Sequence, residues 1–148
     1  MDQRNIARRL EQTQVVERPG ASGQDVFYEI GTYTPTYLGG SVAGATTYSV
    51  QQGAWVRIGQ MIIATGTITW TAATGTGNAI ISLPFTSSST SNQNFGGSVW
   101  MSSVTFANST PQLLITPNTA LFSLNSPLTN AAGTAVAIEA AGIMVWTV

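Results

Sequence analysis

The chain has 148 residues, enough for one domain with its own core. It carries no His, no Cys and no Lys, and its net charge is −1. These absences exclude a disulfide scaffold, Ser/His or Cys/His nucleophilic catalysis, imidazole or thiolate metal sites and a lysine-dependent phosphate loop.

Charge is unevenly placed. Nine of the eleven charged residues fall in the first 29 positions: Asp2, Arg4, Arg8, Arg9, Glu11, Glu17, Arg18, Asp25 and Glu29. The other 119 positions hold only Arg57 and Glu139. Residues 2–14 read as a short helix capped by Asp2, with Ile6 and Leu10 four apart on one face. Two turns are marginal alone in water, so this arm needs a surface to dock on. Arg4, Ile6, Arg8, Arg9 and Leu10 are the candidate docking residues. The segment from Glu17 to Gln24 is a linker, punctuated by Pro19, Gly20 and Gly23. Residues 1–25 are thus expected to form an anchoring arm and 26–148 a β-domain.

From Val26 onward the pattern is β. Val26, Tyr28 and Ile30 alternate, and strand-like runs follow at Ala54–Ile58, Met61–Trp70 and Ala79–Leu83. Further runs lie at Val99–Phe106, Gln112–Thr116, Ala120–Leu124 and Ala135–Val148, although Ala131–Ala141 is alanine-rich and ambiguous. Gly, Asn, Ser, Thr and Pro fill the gaps, and Thr86–Asn94 reads as an exposed loop. Short strands at this spacing predict an all-β fold, an antiparallel β-sandwich of jelly-roll type.

A soluble domain usually carries about 25% charged residues. This body does without them, which predicts either a surface solubilised by hydroxyls and amides or one covered by neighbouring subunits. Arg57 and Glu139, the only two charges after Glu29, are expected to pair, since a partly buried charge needs a partner. The competing reading makes Glu139, with Asp25 or Glu29, a carboxylate pair hydrolysing glycosides. Trp55, Trp70, Trp100 and Trp146 are expected in the core or at a subunit interface, with stacking on sugar rings as the alternative. The four arginines of the arm are interleaved with acids, which argues against nucleic acid as a partner. No run reaches the ~18 apolar residues of a membrane helix, and the N-terminus lacks the apolar run of a signal peptide. No cofactor or metal is expected.

One stretch is more specific than composition. It runs Gly31-Thr32-Tyr33-Thr34-Pro35, then Tyr48-x-x-x-Gln52-Gly53-x-Trp55-x-Arg57-Ile58-Gly59, then Gly66-x-Ile68, and closes with Gly77-x-x-x-Ile81-x-Leu83-Pro84-Phe85. This resembles a β-domain of bacteriophage virion-surface proteins, of tail-fibre and capsid-decoration type. The pattern there is roughly Gly-x-Trp-Thr-Pro, Tyr-x-x-Gln-x-Gly-x-Tyr-x-Arg-Ile-Gly and a Gly-containing turn before Leu-Pro-Phe. Tyr33 stands here where Trp is usual, and Trp55 where Tyr is usual. Residues taken alone, Gln52-Gly53 reads as a turn and Leu83-Pro84 as a strand end.

The resemblance implies a non-enzymatic virion protein, typically a homotrimer. The expected partners are then other copies of the chain and a major capsid or tail protein. Two locations compete: a decoration (cement) protein on the capsid, or a tail-fibre or receptor-binding tip with a host surface glycan as ligand. A glycan hydrolase of the same particle is the third reading.

Overall fold

The computed structural model describes residues 18–19, 25–104, 111–126, 134–135, 137 and 139–148. All regular structure among them is β. The strands are β1 (Arg18–Pro19), β2 (Asp25–Val26), β3 (Tyr28–Tyr33), β4 (Tyr37–Gly39), β5 (Thr46–Ile58) and β6 (Met61–Ala73). They continue with β7 (Ala79–Ser82), β8 (Phe95–Ser102), β9 (Gln112–Ile115), β10 (Leu121–Ser126), β11 (Thr134–Ala135) and β12 (Gly142–Thr147).

β1 and β2 form a small ribbon of their own. The other strands make one antiparallel sheet in the order β3-β5-β6-β12-β8-β9-β10-β7-β4, with β11 added to β10. The all-β, antiparallel expectation therefore holds. In place of two separate sheets there is one continuous sheet that curls into a half-barrel, and the expected helix at 2–14 lies outside the described residues.

The curl turns on β8. Its first residues, Phe95–Gly97, pair with β9, and Ser98–Ser102 pair with β12. Gly97 sits at this handover, where a Cβ would come within 2.2 Å of the Thr147 carbonyl. Only a residue without a side chain lets the strand pass that closely.

Alternation along the strands fills the inside of the curl. On β6, Ala64, Ile68 and Trp70 are buried, and on β12, Met144 and Trp146. Ile68, Trp70, Met144 and Trp146 form one core with Tyr37 of β4, Ala79 and Ile81 of β7, Leu113 and Ile115 of β9, and Phe122 and Leu124 of β10. Removing Trp146 or Phe122 from this core would cost about 3–5 kcal/mol.

β4, at one end of the path, meets β5, next to the other end, without a ladder. Gln51 Nε2 donates to the Pro35 carbonyl at 2.9 Å, and Thr46 Oγ1 donates to the Tyr37 carbonyl at 2.8 Å. The Tyr48 hydroxyl accepts from Tyr37 N–H at 2.5 Å and donates to the Tyr37 carbonyl at 3.2 Å. Side chains of β5 thus hold the backbone leading into β4 and seal one seam of the half-barrel.

Candidate assembly surfaces

Several of the residues singled out between Gly31 and Phe85 pack against one another. Gly31 lies opposite Trp55 and Tyr33 opposite Gly53 in the β3–β5 register. A Cβ on Gly31 would stand 2.6 Å from the Trp55 ring, and one on Gly53 would stand 2.3 Å from the Tyr33 ring. Gly66, opposite Gly53 on β6, lies under Trp146 in the same way, at 2.2 Å. Each glycine gives an aromatic ring room to lie flat on the sheet, and each ring shields a stretch of bare backbone. Trp146 Nε1 donates to the Tyr33 hydroxyl at 3.3 Å, and Trp55 meets Phe85 edge-on at 4.6 Å. Burial pushes the Tyr33 phenol up, with the indole hydrogen bond acting against it. Gln52 and Gly53 are therefore mid-strand residues of β5, not a turn; the turn of the hairpin is Gly59-Gln60, between the paired Ile58 and Met61.

The charges of the body do not pair as expected. Arg57 lies opposite Glu29, and their side chains form an ion pair at 3.7 Å. Arg57 Nε donates to the Gly59 carbonyl at 2.9 Å, and the guanidinium lies over the Phe27 ring at 5.6 Å. Glu139 is at the other end of the molecule. Arg57 faces Ile62 on β6, whereas the Glu139 carbonyl accepts from the Trp70 indole at 2.9 Å. Eight residues of strand separate those levels, about 25 Å. An Arg57–Glu139 pair cannot form across that distance. Glu29 and Glu139 are likewise much too far apart for the roughly 5–10 Å that glycoside hydrolysis requires. Among the described residues there is no group of three or more His, Cys, Asp or Glu able to hold a metal ion.

Two surfaces remain. At the open end of the half-barrel, Ile62, Ala64, Leu83, Phe85, Phe95, Ile115 and Val148 line an apolar pocket of about 240 Å³. The second is the outer face of β3, β5, β6, β12 and β8. Strand registers place Tyr28, Ile58 and Met61 in one row across it, and Ile30, Val56 and Ile63 in the next. A third row runs Thr32, Ala54, Thr65, Thr147 and Ser98. A fourth runs Gln52, Thr67, Val145 and Trp100, and a fifth Val50, Thr69, Ile143 and Ser102. Met61 is 56% exposed, Ile63 43% and Trp100 59%. No charged side chain occurs in these rows. A shallow trough of about 790 Å³ crosses the middle of the face, over Thr32, Gln52, Thr65 and Thr147.

The tryptophans divide accordingly. Trp70 and Trp146 are core, Trp55 is half-buried against Phe85, and Trp100 points outward. The Thr86–Asn94 loop carries no strand and is mostly exposed. The candidate docking residues Arg4, Ile6, Arg8, Arg9 and Leu10 lie outside the described residues. The outer face could have been read from the sequence, since Tyr28, Ile30, Val56, Ile58, Met61 and Ile63 alternate with residues that face inward. What was missing was the register that lines them up.

No protein family, no curated protein and no solved structure matches this chain.

Proposed function

We propose that this protein is a non-enzymatic structural component of a bacteriophage virion. Its expected form is a homotrimeric decoration or cement protein on the capsid, docked through the N-terminal arm at Arg4, Ile6, Arg8, Arg9 and Leu10. In this reading the halves of the curled sheet work as a jelly-roll-like sandwich, and residues 26–148 are the body that the arm tethers.

The observation that carries the reading is the broad outer face without a charged side chain, presented by a body whose motif residues are spent on packing aromatics onto glycines. A face of hydroxyls, amides and exposed aliphatic groups is suited to lasting contact with other protein. Charged residues, which keep free domains apart in solution, are concentrated instead in the arm. The resemblance through Gly31–Phe85 supplies the virion context.

A second reading, a tail-fibre or receptor-binding tip, is favoured by the exposed Trp100 beside Val145 and by the polar Thr86–Asn94 loop. These are the features on which a neutral glycan could stack and hydrogen-bond.

Co-sedimentation with capsids lacking the protein, and in parallel with host cells, separates the two. Saturable capsid binding that disappears on deletion of residues 1–20 is the expected result. Binding to cells alone would move the protein to the tail. Capsid binding that survives the deletion would remove the arm as the anchor.

A further inference from the structure

We infer that the outer face of β3, β5, β6, β12 and β8 is where copies of this chain pack against one another. The inference rests on the self-assembly in the reading above, not on its trimeric order, and names the surface that performs it.

The first argument is size. The face is five strands wide and three to five outward side chains deep. With strands about 4.8 Å apart and outward residues about 6.8 Å apart, that is roughly 24 Å by 27 Å, or about 600 Å². Two copies covering the whole face would bury at most about 1,200 Å² together, the lower end of the range of specific protein interfaces.

The second is chemistry. Tyr28, Ile58 and Met61 form one apolar row, and Ile30, Val56 and Ile63 the next. Exposed apolar groups that stand contiguously, bordered by polar ones, mark contact surfaces.

The third argument selects the partner. When a surface meets copies of itself, any net charge on it is set against its own sign. This face has no charged side chain to repel its counterpart, and none with which to recognise an oppositely charged protein. Its relief is also suited to self-packing. The apolar rows stand beside the trough over Thr32, Gln52, Thr65 and Thr147, and another copy can fill that trough. Opposed sheets at about 10 Å spacing bury such side chains between them.

Ile63→Lys and Trp100→Lys, made separately in the full chain, test this by light scattering and sedimentation equilibrium at micromolar protein. Val42→Lys is the control, because Val42 is 58% exposed and lies off this face, bridged to Thr76. Circular dichroism and melting confirm folding. Should Ile63→Lys misfold, Met61→Lys at the hairpin tip replaces it. The expected result is an oligomeric wild type and Val42→Lys, with self-association weakened on the order of 100-fold or more in the face variants, as like charges are forced together. A wild-type dimer that these variants dissociate keeps the inference and removes the trimer. A trimer that they leave intact keeps the trimer and overturns the inference. A monomeric wild type overturns both.

Discussion

Tyr37→Phe tests how β4 is tied to the segment before β12. Tyr37 is 1% exposed, and its ring lies 4.5 Å from that of Trp70. Its hydroxyl accepts a hydrogen bond from Glu139 N–H at 2.8 Å. The substitution keeps the ring and removes only that acceptor, leaving the Glu139 amide without its partner. The expected loss is about 1–2 kcal/mol at pH 8, with the fold retained. A second signature comes from pH. Burial pushes the Tyr37 phenol up to about 12; the Glu139 amide opposes this, and electrostatic interaction with Glu139 and Tyr48 adds to it. A phenol in the unfolded chain titrates near 10, so between about pH 10 and 12 the unfolded state binds fewer protons than the folded state. The stability that Tyr37 contributes is therefore complete below pH 10 and is lost as pH rises toward 12. By pH 11.5 the loss is about 2 kcal/mol. Tyr33, also raised, adds a loss of the same sign to both proteins. Urea unfolding followed by tryptophan fluorescence at pH 8 and pH 11.5 measures both effects. The gap between wild type and Tyr37→Phe should narrow or close at the higher pH. Equal stability at pH 8, or a parallel loss in the two proteins up to pH 11.5, would refute the role given to the buried Tyr37 hydroxyl.

Two further predictions concern the motif. Gly66→Ala places a Cβ 2.2 Å from the Trp146 ring, which is fully buried and cannot swing away. It should destabilise the fold by about 1–3 kcal/mol in chemical denaturation, whereas Gly96→Ala, where the nearest atom is 3.8 Å away, should cost less than 1 kcal/mol. Arg57→Gln breaks an ion pair of 3.7 Å between side chains 38% and 21% exposed, so its cost in a thermal melt should stay below about 1 kcal/mol despite the scarcity of charge in the body.

The sequence made visible those strands that are buried on one side. β6, β7, β9 and β12 are runs rich in apolar and β-branched residues, and their burial alternates because one face of each lines the core. β4 and the first half of β5 escaped notice because their inward positions are not aliphatic. Tyr48, Thr46 and Gln51 point to the seam and are satisfied there by the backbone of residues 35–37. Gly53 reads locally as a turn. It stays in a strand because Tyr33, twenty residues earlier, covers it, and that is a tertiary fact. The expected Arg57–Glu139 pair rested on scarcity, as if two isolated charges must find each other. Register decided otherwise: Glu29 stands directly across from Arg57. Alternation along both strands was there to be read, but their relative shift was not.

Where the few charges of the body lie bears on what its faces are for. Arg57 and Glu29 are on the inward side of their strands, at the open end of the curl, and β3, β5, β6, β12 and β8 keep none outside. A neutral sheet surface can be soluble through hydroxyls alone, and the Thr65, Thr67 and Thr69 stripe of β6 would serve that purpose. Met61, Ile63 and Trp100 would not, for each exposes more than two-fifths of its surface to water with no charge nearby to offset it. Solubility by itself gives no reason to place three large apolar groups around that threonine stripe. A contact surface does: the apolar groups supply the driving force, and the hydroxyls between them supply partners that need no counter-charge.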